Sequence, residues 1–166
     1  MGIVVAALLL ATSCGEQRAT APKASASHSL IKAPSLLECP TDETTTTSGL
    51  VDPLGGAVQL GATGISIPSG AISTPTLLQV TIPSSRFMEI DVSAVGFESF
   101  LFDQPVTITI DYSRCARNDI DQQTLHVWHI DPVTKALLED MGGTDDKVAR
   151  RFTFTTGHLS GYAVAN

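Results

Sequence analysis

From Gly49 onward, short apolar runs alternate with Gly, Pro, Asn and Asp. In Val106-Thr107-Ile108-Thr109-Ile110 the Val and both Ile fall on one side of an extended chain, and the two Thr fall on the other. The runs Ala57–Leu60, Gly64–Ile67, Leu77–Ile82, Ile90–Glu98, Val106–Tyr112, Thr124–Ile130, Ala136–Glu139, Val148–Thr155 and Ser160–Ala165 are each read as a strand. Many short strands at close spacing predict an all-β fold, an antiparallel β-sandwich. Leu125, Val127 and His129 alternate with His126, Trp128 and Ile130. That run is apolar on both faces and is expected in the interior of a sheet. Gly55-Gly56 and Gly142-Gly143 permit positive φ at turns, and Pro68-Ser69-Gly70-Ala71 closes one strand before the next. No segment has the period of an amphipathic helix.

Ahead of this region the pattern disappears. Glu16–Ser35 is rich in Ala, Ser, Pro and Lys with no apolar period, the composition of a flexible tether. Thr41–Ser48 reads as more tether or as a bulged loop. Between them, Leu36-Leu37-Glu38-Cys39-Pro40 is a short apolar patch that predicts a point of attachment to the domain. At the start, Gly2–Ala11 is an apolar run of signal-peptide length, well short of the ~20 residues of a membrane-spanning helix. The expected organisation is a signal peptide over 1–13, a tether over 14–47 and a sandwich over 48–166.

Ala11-Thr12-Ser13-Cys14, small residues and a cysteine directly after an apolar run, resembles a bacterial lipoprotein signal. The resemblance implies cleavage before Cys14 and a diacylglycerol on its thiol. Each buried lipid CH₂ contributes ~0.8 kcal/mol, so two or three chains hold a soluble domain on a bilayer. Two features depart from the pattern: no Lys or Arg precedes the apolar run, and Ala11 stands where Leu is usual. An ordinary secretory signal and a cytoplasmic start are the alternatives. Gly15 rather than Asp after the cysteine favours the outer membrane in a Gram-negative envelope.

Composition narrows the partners. The 166 residues are 43% hydrophobic and 16% charged, which suits a packed core rather than a disordered chain. The net charge is -7, and residues 48–166 hold seven Lys and Arg against thirteen Asp and Glu. This acidity argues against nucleic acid and against an anionic bilayer as electrostatic partners. Three cysteines leave Cys39 and Cys115 once Cys14 is given to lipid. In an exported protein two such thiols are expected to pair. In the chain-entropy model that bond stabilises the fold by roughly 4.5 kcal/mol. Two unpaired thiols in a reducing compartment are the alternative.

Several motifs together carry a family resemblance. Gly55-Gly56-Ala57-Val58 is followed by Ile65-Ser66-Ile67-Pro68-Ser69-Gly70-Ala71-Ile72. Later come Phe102-Asp103-Gln104-Pro105-Val106-Thr107-Ile108 and His158-Leu159-Ser160-Gly161-Tyr162-Ala163-Val164. This ordered set, over roughly residues 49–166, resembles the ZU-five domain of ankyrins and netrin receptors, and secreted, lipid-anchored bacterial proteins of that type. The resemblance implies an antiparallel β-sandwich and a protein-binding or structural role.

The sharpest chemical candidate is His158-Leu159-Ser160. Self-cleaving ZU-five proteins cut within a similar tripeptide. By that resemblance His158 would act as general base, Ser160 would attack the Leu159 carbonyl, and water would hydrolyse the resulting ester. The plainer alternative is a strand beginning after a turn at Gly157. His126, His129 and Asp131 offer only a partial metal site, because an odd separation puts the two His on opposite faces. A surface pairing of His129 with Asp131 is expected instead, and no metal or cofactor. Asp119, Asp121, Asp145 and Asp146 could hold calcium weakly but are typical turn residues. Arg150-Arg151 beside Lys147 reads as a solvated basic spot at a strand end. The expected protein is therefore a non-enzymatic, lipid-anchored envelope protein with an unidentified protein partner. The alternatives are self-cleavage after Leu159 and an adhesin or carbohydrate-binding sandwich, in which one Trp and two Tyr are available for stacking.

Overall fold

The computed structural model describes residues 33–115 and 120–166. The expected signal peptide, Cys14 and the expected tether up to Lys32 lie outside the described residues. The strands are β1 Glu38–Thr41, β2 Thr45–Val51, β3 Gly56–Leu60, β4 Thr63–Ile67, β5 Thr76–Ile82, β6 Ser85–Phe87, β7 Glu89–Ala94, β8 Leu101–Asp111, β9 His126–Ile130, β10 Leu137–Asp140, β11 Thr144–Asp146, β12 Arg151–His158 and β13 Gly161–Ala165. One short 3₁₀ turn covers Ile120–Gln122. A six-stranded sheet runs β10-β9-β13-β7-β5-β2, a five-stranded sheet runs β11-β12-β8-β4-β3, and β1 pairs with β6 alone. Every ladder is antiparallel. The fold is the expected all-β sandwich.

Period-2 patterning explains the core. Val106, Ile108 and Ile110 of β8 are fully buried, while Thr107 and Thr109 are only half-buried. Phe152 and Phe154 of β12 and Ile65 and Ile67 of β4 join them from the five-stranded sheet. Leu78, Val80, Ile90, Val92, Val127, Tyr162 and Val164 belong to the same core from the six-stranded sheet. β9 lies between β10 and β13, as its two apolar faces predict.

Several boundaries differ from expectation, and β8 begins at Leu101 rather than Val106. Strand structure begins ahead of residue 48, with β1 starting at Glu38, and the Thr-rich stretch read as tether or loop is largely strand. β2 pairs with β5 along its whole length, from Thr45↔Ile82 to Val51↔Thr76. Thr is a good strand former, but β2 is an edge strand whose residues are mostly exposed, so no apolar alternation marks it. β7 stops at Ala94, and Gly96 takes a φ of 89° just beyond. β12 starts at Arg151 rather than Val148, because Asp146 Oδ1 accepts from the amides of Val148 and Ala149 and holds a turn there. The attachment point at Leu36–Pro40 is confirmed. Leu36 bridges to Ala165, Leu37 is buried, and Cys39 is bonded to Cys115 across 76 residues.

Candidate functional site

Cross-strand neighbours share a face of a sheet. Ile90 of β7 pairs with Tyr162 of β13, Tyr162 with His129 of β9, and His129 with Glu139 of β10. This row runs from the apolar core to the edge of the six-stranded sheet. Ile90 and Tyr162 are fully buried, His129 is half-buried and Glu139 is exposed. The row faces the other sheet, since the Tyr162 hydroxyl donates to the His158 carbonyl at 2.7 Å. Burial pushes the Tyr162 hydroxyl up to about 12.

β12 completes the cluster. Phe152, Phe154 and Thr156 are its buried, inward positions, and His158 continues them to the rim. The His158 ring packs edge-on against His129, with centroids 5.2 Å apart. One ligand-type atom from each of His129, Glu139 and His158 lies within 4.8 Å of the others. Burial, and next the neighbouring His158, hold His129 below its ordinary 6.5, while Glu139 works in the opposite direction.

Two register irregularities aim these side chains. β10 pairs with β9 at Leu137↔Ile130 and then Glu139↔His129, with a shift between. Regular pairing would set Leu138 opposite His129. The shift leaves Leu138 54% exposed and turns a carboxylate inward instead. β12 shifts against β8 between Thr156 and His158. Bulges commonly re-aim a side chain in this way and cluster near functional sites.

The tripeptide His158-Leu159-Ser160 crosses from one sheet to the other. The Leu159 amide donates to Phe100 O, and Ser160 O accepts from the Val92 amide. The hydroxyl beside the His158 ring is that of Thr156, 3.2 Å from Nδ1. No hydrogen bond joins that ring to Ser160 among the described residues. Leu159 and Ser160 line a cleft of about 210 Å³ together with Asp91, Phe97 and Phe100.

The other candidates divide. Cys39 and Cys115 form their disulfide. His126 and His129 do point to opposite faces, and His126 Nδ1 lies 3.0 Å from Asp140 Oδ2 on the outer one. His129 does not pair with Asp131. The Asp131 carboxylate accepts from the Val133 and Thr134 amides, a turn bond that competes successfully for it and lowers its pKa below 3.8. Arg150 is not a solvated charge: it is buried, donates to Cys115 O at 3.1 Å and lies over the Tyr112 ring. Lys147 bonds Asp145 and the carbonyls of Ile120 and Gln123. Of that basic trio only Arg151 is exposed. Asp145 also accepts from the Tyr112 hydroxyl, so both it and Asp146 are committed within the fold. Asp119 lies outside the described residues. Glu139 is the member of the His cluster that sequence reasoning missed, because its facing depends on a bulge that leaves no mark in the pattern.

No known protein-family model matches the chain. No curated protein matches it significantly.

Proposed function

We propose that the chain is an exported, lipid-anchored envelope protein whose β-sandwich is a non-catalytic binding or structural module. The Cys39–Cys115 disulfide carries this reading, because such bonds persist in oxidising compartments and the pair ties the start of the domain to its middle. The apolar run before Cys14 supplies the address and the lipid the anchor. The ordered ZU-five-like motifs support a module that binds protein, with the partner still to be identified.

The bonding of His158 favours this reading over self-cleavage. Its ring is engaged with Thr156, whereas a base for Ser160 would face the Ser160 hydroxyl. Sugar binding draws less support, since Tyr112 and Tyr162 are fully buried and Trp128 is half-buried. Labelling of the expressed chain with radioactive palmitate tests the anchor, read alongside intact mass under denaturing conditions. The proposal expects label in the native chain, none in Cys14→Ser, and a single species ending at Asn166. An unlabelled native chain overturns the anchor. A mass matching cleavage after Leu159, lost in Ser160→Ala, overturns the non-catalytic assignment.

A further inference from the structure

We propose that His129, Glu139 and His158 form a binding site for a divalent zinc-type ion at the rim of the sandwich. Three strands from both sheets deliver these side chains, and one ligand-type atom of each lies within 4.8 Å of the others. Zinc bonds to nitrogen and oxygen ligands at ~2.0–2.2 Å, which sets tetrahedral ligands about 3.3 Å apart. Small side-chain rotations at a half-exposed rim close that difference.

Two observations distinguish this cluster from a chance meeting of polar side chains. The first is the bulge in β10. It gives up an inward position for Leu138, which ends 54% exposed, and turns the Glu139 carboxylate towards two imidazoles. Apolar packing alone would favour the opposite choice. The second is the hydrogen bonding of the rings. Thr156 Oγ1 lies within hydrogen-bond distance of His158 Nδ1, 3.2 Å away. That bond engages Nδ1, and no hydrogen bond to Nε2 is present among the described residues. Metal-bound imidazoles commonly have their second nitrogen fixed by such a bond. His129 makes no hydrogen bond with either ring nitrogen among the described residues, so its ligand atom is unclaimed.

The donor set decides the ion class. Two imidazoles with one carboxylate suit zinc and its first-row neighbours, whereas calcium and magnesium require oxygen donors. Three protein ligands leave a fourth position for water or for a donor group from a partner. The ion would clasp β9 and β10 of one sheet to β12 of the other.

The test is a zinc titration against a chromophoric chelator. It uses the full chain, purified without a histidine tag and carrying Cys14→Ser and His28→Ala, which removes two donors outside the described residues. One equivalent of zinc is expected to bind. His129→Gln, Glu139→Gln and His158→Gln should each weaken binding at least tenfold, and His126→Gln, on the opposite face, should leave it unchanged. Far-UV circular dichroism checks that each variant is folded. Should a variant unfold, the imidazole ¹⁵N resonances of the parent give the answer: zinc should shift those of His129 and His158 and leave His126 in place. The absence of one-equivalent binding overturns the proposal. So does binding that survives all three substitutions, is lost with His126→Gln, or moves only the His126 resonances.

Discussion

Gly143 shows how little room a single turn position has. Its φ is 110°, and an added Cβ would stand 2.4 Å from Thr153 O. Both the backbone conformation and the contact exclude a larger residue. Gly143→Ala is expected to destabilise the fold by about 1–3 kcal/mol, measured by urea denaturation. Asp91 represents the opposite situation, a group whose charge the fold disfavours. Burial raises its pKa above the ordinary 3.8, with Lys135 acting the other way. Between the unfolded and folded values the native state binds more protons, so stability falls as pH rises through that window. Asp91→Asn should therefore be more stable than the native chain at neutral pH. The advantage should vanish below 3.8, which urea titrations at the two pH values will show.

At the scale of elements, the turn between β9 and β10 is tied down from a distance. Lys135 adopts a φ of 60° there, and its Nζ donates to Glu89 Oε2 at 2.7 Å. Glu89, on β7, has a side chain only 4% exposed. Removing the cation leaves that carboxylate buried without its partner, which is costlier than losing a surface pair. Lys135→Met is expected to cost about 2 kcal/mol, reduced from the fully buried case because Lys135 is itself partly solvated. Differential scanning calorimetry measures it. Strands such as β8 were legible in the sequence because their inward and outward residues differ in kind. β2 and β11 were not, since edge strands with exposed side chains carry no such contrast. That His129 shares a face with Val127 was also legible, but its inward facing was not, since the run is apolar on both faces. Its meeting with His158 was not, since two separate inward faces must converge for it to occur. Glu139 depended further on a register shift that residue types alone do not encode.

For the whole molecule, the disulfide is a covalent restraint within the core, where both of its cysteines are buried. It closes a loop of 76 residues, and its loss should lower stability by roughly 4.5 kcal/mol in the chain-entropy model. Unfolding of the native chain with and without reductant will show the difference, and Cys39→Ser with Cys115→Ser should match the reduced form. β13 has a different kind of whole-molecule consequence. All five of its residues are buried, and it sits between β9 and β7 in the six-stranded sheet. It is also made after every other strand of the sandwich. Until it arrives, β9 and β7 have no shared partner and Tyr162 and Val164 are missing from the core. Without β13 the six-stranded sheet separates into a β10-β9 pair and a β7-β5-β2 group.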